Sequence, residues 1–131
     1  ARLYEKLFCE IGLAEETGKI AFDDANKVLL PAAIYQSSGV RNYHIYNQFI
    51  IRVERRDELR EFLKSQDIGA EIYYPVPFHR QECFQYLNLN DADYPVANFA
   101  AATSLALPIF PELSEDQIYF VVEKIAEFIR G

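Results

Sequence analysis

The sequence contains no methionine, not even at position 1, and it opens on ARLYEKLF, a stretch patterned like the inside of a helix. The expectation is a piece of a longer polypeptide, or a chain whose start was lost to processing or tag removal, so that function is shared with residues outside it. No apolar run approaches the roughly 20 residues needed to span a bilayer, and no signal peptide opens the chain. Both absences predict a soluble protein without a membrane partner. The two cysteines, Cys9 and Cys83, are too few and too far apart for a disulfide framework or a zinc knuckle, and they suit a reducing cytoplasm. Basic residues are outnumbered, 13 Lys and Arg against 20 Asp and Glu, for a formal charge of -7. Phosphate backbones would be repelled on average, and no helix-turn-helix pattern occurs, which argues against nucleic acid. The five glycines are scattered and form no phosphate-cradling loop.

What is present is patterned. With 131 residues, half of them hydrophobic, the chain is expected to fold as one domain over residues 1–131 with a core of its own. Leu3, Tyr4, Leu7, Phe8 and Ile11 recur at helical spacing before Gly12, a natural terminator. Residues 13–27 are charged and small and read as a loop. VLLPAAIY, residues 28–35, is extended, and Pro31 predicts an edge strand or one that bends. YHIYNQFIIRV, residues 43–53, is rich in aromatic and β-branched residues and predicts the strongest strand, with His44, Tyr46, Gln48, Ile50 and Arg52 on one face and Ile45, Asn47, Phe49 and Ile51 on the other. RRDELREFLKSQDIG, residues 55–69, predicts a helix with Leu59, Phe62 and Leu63 inward, its arginines on a solvated face, pairs Asp57–Arg60 or Glu61–Lys64 across one turn, and Gly69 closing the helix or the turn after it.

Residues 70–74, AEIYY, predict a second strand. QECFQYL is a short helix candidate and NLNDAD a polar loop, from which Asp93 would cap a helix that tolerates Pro95 in its first turn. Residues 105–111, cut by Pro108 and Pro111, predict a short extended segment. Ser114 and Gln117 match a capping box ahead of Ile118, Val121, Val122, Ile125 and Ile129, the clearest helix in the chain. The order predicts an α/β or α+β fold, helices packed on a small sheet.

For chemistry, the stretch YYPVPFHRQE, residues 73–82, stands out as rigid, aromatic and polar-tipped. His79 sits in a loop stiffened by Pro75 and Pro77, where sites tend to be built on rigid scaffolds. His44 reads either as a polar strand residue or as a site residue. A metal held by His44, His79 and Cys83 lacks further ligands at the right spacing, and a Cys83–His79 nucleophilic pair lacks an orienting third group. Residue chemistry stops at a candidate polar site around residues 44–48 and 73–81.

HIYNQFIIRV, then RRDELREFLKSQDIGAEIYYPVPFHRQECF, then DADYPVANFAAATSLALPIFPELSEDQIYFVVEKIAEFI together resemble, in order and spacing, the C-terminal part of the DegT/DnrJ/StrS sugar aminotransferases. The resemblance implies the small domain of a fold-type I enzyme, with a mostly antiparallel sheet. It implies a whole enzyme that uses pyridoxal phosphate to move an amino group from glutamate or glutamine onto a nucleotide-linked keto sugar, as a cytoplasmic homodimer in cell-envelope polysaccharide biosynthesis. It also implies that the Schiff-base lysine belongs to an N-terminal large domain absent here, since Lys6, Lys19, Lys27, Lys64 and Lys124 lack its context. The chain alone is then expected to bind no cofactor and to be inactive. By position, Tyr73, Tyr74, His79, His44 and Tyr46 are implied to contact substrate, with Asn47, Gln48 and Pro75 supporting the site and no catalytic residue in this chain. The Y-N-Q form of the strand motif resembles members acting on 3-keto sugars. Two other roles stay open: a non-catalytic nucleotide-sugar-binding module, and a regulatory or interaction role of the kind named for some family members.

Overall fold

The computed structural model describes residues 1–15 and 21–131. In chain order it holds α1 (Arg2–Glu10), β1 (Ala14–Glu15), β2 (Val28–Leu29), β3 (Phe49–Arg52), α2 (Arg56–Ser65), three 3-10 turns (Phe78–Arg80, Glu82–Leu87, Asp91–Asp93), α3 (Pro95–Thr103), β4 (Ser104–Leu107) and α4 (Glu115–Arg130). Among the described residues the strands form one four-stranded sheet in the order β1-β2-β3-β4, with β1 and β2 parallel and the other pairs antiparallel. The expected small, mostly antiparallel sheet with helices on it is what forms.

The core lies between the sheet and α1, α2 and α4. Tyr4, Phe8, Phe49, Ile51, Leu59, Leu63, Leu105 and Ile125 are fully buried there. Apolar burial of this kind is worth about 1.5–3 kcal/mol per large side chain, which makes this cluster the main stabilising element. Tyr4 stacks on Phe49 at 5.0 Å between centroids, and its hydroxyl donates to the Pro108 carbonyl at 3.0 Å. Burial pushes that hydroxyl's pKa up. Along β3, Phe49 and Ile51 face this core while Ile50 and Arg52 face the other way, as the alternation predicts. There the Arg52 guanidinium lies over the Phe99 ring of α3, 5.4 Å from its centroid. With helices on both sides, β4 is buried at all four residues.

The termini of the elements depart from expectation in informative ways. The long strand over 43–53 shrinks to Phe49–Arg52, because Asn42 and Tyr46 take left-handed backbone conformations that break any ladder, leaving Ile45 exposed. Residues 28–35 contribute only Val28–Leu29, and this short strand is interior to the sheet rather than at its edge; a turn follows Pro31. Ala14–Glu15 pairs with it, so part of the expected 13–27 loop is a strand, while residues 16–20 of that loop lie outside the described residues. AEIYY is not a strand but a single bridge, Glu71 to Ala106. Helix α2 ends at Ser65 with Gln66 as its C-cap, and the turn after it passes through Asp67 in the left-handed region at φ 57°, two residues ahead of Gly69. Tyr94, not Asp93, precedes α3, with Pro95 at its first turn as expected. The predicted Asp57–Arg60 and Glu61–Lys64 pairs are replaced: Arg60 reaches Glu71 at 3.3 Å and Glu61 at 4.0 Å.

The largest correction concerns the α2 arginines. Arg56 is only 6% exposed, and its guanidinium donates to the carbonyls of Ala101 and Ser104, both at 3.0 Å, and to Asp57 at 2.7 Å. A helix charge that periodicity places on the solvent face is therefore consumed by backbone acceptors where α3 runs into β4. Replacing Arg56 by Met strands both carbonyls and is expected to destabilise the fold by roughly 3 kcal/mol, read as a lower guanidinium chloride midpoint at constant m-value. At α4 the capping box is complete: the Ser114 hydroxyl accepts from the Gln117 amide at 3.2 Å, and the Gln117 side chain accepts from the Ser114 amide at 2.9 Å. Ser114→Ala is expected to cost about 1 kcal/mol by the same measurement.

Candidate functional site

After the Glu71 bridge the chain leaves the sheet edge, and Pro75 and Pro77 keep it extended before the turn at Phe78–Arg80. This route sets Tyr73 against the loop that enters β3. An open hollow of about 320 Å³ results, lined by Asn47, Gln48, Gly69, Glu71 and Tyr73, with residues 106–109 behind them. Its polar lining offers two amides, a carboxylate and a phenol, the donors and acceptors that hydroxyl-rich ligands need. Glu71 is held by Arg60. Tyr73 also walls a second, more apolar slot of about 240 Å³ with Tyr74, Val76, Pro77, Phe78 and Gln81, floored by Ala97, Ala100 and Ala101 of α3. The Tyr73 and Tyr74 rings meet edge to face at 5.7 Å, and Tyr74 is 74% exposed.

The structure thus brings Asn47 and Gln48 together with Tyr73 in one hollow, and Tyr73 with Tyr74 in the neighbouring slot. It does not bring His44 or Tyr46 there. They line a separate hollow beside Ala1, Arg2 and Leu3, where the His44 Nδ1 accepts from the Tyr46 amide at 2.9 Å and the Tyr46 hydroxyl donates to Glu5 at 3.2 Å. Burial and the Glu5 carboxylate push the Tyr46 hydroxyl's pKa up. Pro75 is exposed and shapes the route of the chain without lining either hollow.

His79 points away from both hollows. Its side chain is only 5% exposed; Nε2 lies 2.8 Å from Asp91 Oδ1, and the ring stacks on Tyr94 at 4.4 Å. Arg80 grips the same carboxylate through Nε and a terminal nitrogen. Spacing alone could not reveal this group, because Asp91 lies in a polar loop 12 residues from His79 and no periodicity links them. Glu71 was equally hidden, as an ordinary strand residue.

Among the described residues no lysine or arginine lines the two hollows. Lys6 pairs with Glu10, Lys27 donates to the Gly12 carbonyl, Lys124 pairs with Glu127, and Lys64 is exposed in the last turn of α2; Lys19 lies outside the described residues. The site residues therefore do not fit pyridoxal phosphate as its holders, having no amine for its aldehyde and no cation for its phosphate. Among the described residues no group of three or more His, Cys, Asp or Glu is placed to hold a metal, and no helix is long and apolar enough to cross a membrane.

The hydrogen bonds from Arg80 and His79 hold the Asp91 carboxyl well below the usual carboxylate range. A depressed acid contributes stability that is present above its unfolded pKa and lost only as pH falls through the folded value. At about pH 3, where an ordinary Asp of pKa near 3.9 is mostly protonated, the Asp91 carboxyl carbon is expected to keep its ionised chemical shift by NMR. A normal titration there would contradict the clamp.

The chain is similar in sequence and fold to proteins of known class. Residues 19–126 match the model of the DegT/DnrJ/EryC1/StrS aminotransferase family. The chain is 50% identical over 88 residues, 67% of its length, to a "Pleiotropic regulatory protein" of Geobacillus stearothermophilus, covering 24% of that protein. It is 36% identical over 89 residues, 68% of its length, to a UDP-N-acetyl-3-dehydro-alpha-D-glucosamine 3-aminotransferase of Acidithiobacillus ferrooxidans, again covering 24%. It thus spans about a quarter of the curated relatives it matches. The crystal structure of S. venezuelae DesV in complex with a ketimine intermediate aligns with 99% of the chain at 26% identity and a TM-score of 0.71, over 32% of DesV. The fold is that of a fold-type I aminotransferase domain, and the chain belongs to the DegT/DnrJ/EryC1/StrS aminotransferase family.

Proposed function

We propose that this chain is the substrate-facing small domain of a nucleotide-sugar aminotransferase, which moves an amino group from glutamate or glutamine onto the keto carbon of a nucleotide-linked sugar. The observation that carries this reading is the hollow in which Asn47, Gln48 and Tyr73, from two loops far apart in sequence, converge with Glu71. Amides, a phenol and a carboxylate on one open wall suit the hydroxyls of a sugar ring. The relative named for amination at carbon 3 of a UDP-linked sugar supports a 3-keto substrate, in keeping with the Tyr46, Asn47, Gln48 motif.

Pyridoxal phosphate would supply the electron sink of such a reaction. The residues of this chain orient the sugar and shield it, Tyr74 and Phe78 forming the apolar flank. The lysine that holds the cofactor belongs, on this reading, to a separate large domain. Exposed Ile34, Ile45, Tyr74, Phe78 and Tyr86 are surfaces for that domain or for a second subunit of a cytoplasmic homodimer. The lack of a lysine in the hollows among the described residues also favours a second reading, a binding or regulatory module without catalysis.

Three measurements test these readings. The chain mixed with pyridoxal phosphate and borohydride is expected to yield no specific lysine adduct; a single reduced lysine within it would overturn the division of labour. UDP- and dTDP-linked 3-keto sugars are expected to shift the NMR signals of Asn47, Gln48 and Tyr73, with Tyr73→Ala and Gln48→Ala each weakening binding about tenfold, the loss of one or two hydrogen bonds. Affinity unchanged in both variants would sink the assignment. Joining the chain to a lysine-bearing large domain distinguishes the readings, since only the enzyme would then transfer an amino group.

A further inference from the structure

We propose that Asp91 is the positioning residue of the substrate wall: through His79 and Arg80 it locks the 73–81 loop to α3, and so holds Tyr73 and Tyr74 in place. The inference rests on the nucleotide-sugar reading for its functional half alone. The wall has little else to hold it. Residues 73–77 make no ladder with the sheet, the last sheet contact being the Glu71–Ala106 bridge, and Tyr74, Val76 and Phe78 are exposed. Without cross-links a loop of this kind samples many conformations, and ordering it would be charged against ligand affinity.

The clamp supplies the cross-link in three connected steps. Asn98, on α3, donates from its side-chain nitrogen to the Asp91 carbonyl at 2.9 Å, and the Asn90 side chain accepts from the Ala92 amide at 3.1 Å, so the backbone at Asp91 is set by α3 and by its own turn. The Asp91 carboxylate then takes His79 on one oxygen and Arg80 on both. Tyr94, immediately ahead of α3, closes the assembly by stacking on the His79 ring. Ionised acceptors with several donors are the strong hydrogen-bond arrangements, and a bidentate guanidinium adds directional restraint. His79 is thereby a strut inside the clamp and not a group facing the sugar. Its Pro77 and Phe78 neighbours and the alanines of α3 line the same slot, so a shift of the loop changes the slot and the polar hollow together, Tyr73 being common to both.

The test compares wild type with Asp91→Ala and Asp91→Glu, using amide hydrogen exchange and the affinity for a UDP-linked 3-keto sugar. In Asp91→Ala the amides of Arg80 and Gln81, which close the Phe78–Arg80 turn, are expected to lose protection while those of β3 and β4 keep it, and affinity is expected to fall about tenfold. Asp91→Glu, which keeps the charge and can still reach Arg80, is expected to recover most of both, a rescue that simple surface destabilisation would not produce. Retained protection at Arg80 and Gln81 in Asp91→Ala overturns the clamp. Lost protection with unchanged affinity overturns its positioning role. A wild-type chain that binds no such sugar, yet loses protection at Arg80 and Gln81 on Asp91→Ala, overturns the functional reading and leaves Asp91 as the lock on the loop.

Discussion

The guanidinium of Arg56 is the joint from which the site takes its geometry. Helix α3 passes into β4 without a connecting loop, Thr103 to Ser104, so the direction of both is set at one junction. Arg56 reaches that junction from α2 and bonds a carbonyl on each side of it. Burying a cation costs several kcal/mol unless its donors are used, and here Nη1 serves both carbonyls while Nε donates to Asp57 at the rim. The two elements so joined back or floor both hollows. The far end of β4 backs the polar hollow, and α3 floors the apolar slot and anchors Asp91 through Asn98.

The arrangement separates stability from recognition. The packed residues between the sheet and α1, α2 and α4 carry the folding energy, while the wall that faces outward is made of side chains with high exposure held by polar cross-links. Among the described residues the hollow offers hydrogen bonds and shape but no amine, no cation and no metal cluster.

Parts of this were legible from residue order because they depend on local rules. The Ser114 capping box and the repeat from Ile118 to Ile129 specify α4 whatever surrounds it, and Tyr4, Leu7 and Phe8 specify the buried face of α1. The family pattern singled out these loops, and the structure sets Asn47 and Gln48 in one hollow with Tyr73, which shares the neighbouring slot with Tyr74. What failed did so for non-local reasons. Residues 43–48 have the composition of a strand but no partner to pair with, and β propensity without a neighbouring strand is a weak preference. Arg56 has the spacing of a solvent-facing charge, and only the carbonyls contributed by α3 and β4 draw it inside.

By itself, then, the sequence determined the helices, the apolar faces of Phe49–Arg52 and Ser104–Leu107, the acidic charge and the motif order that marks the family, since each depends on residue type and short spacing. Only the tertiary structure decided that His44 and Tyr46 pack against α1, that His79 turns inward to Asp91 and Tyr94, and that Tyr73 stands between two hollows. Those outcomes depend on contacts across 12 to 41 residues, where the meeting of two side chains is set by how whole elements pack and by no property of either residue alone.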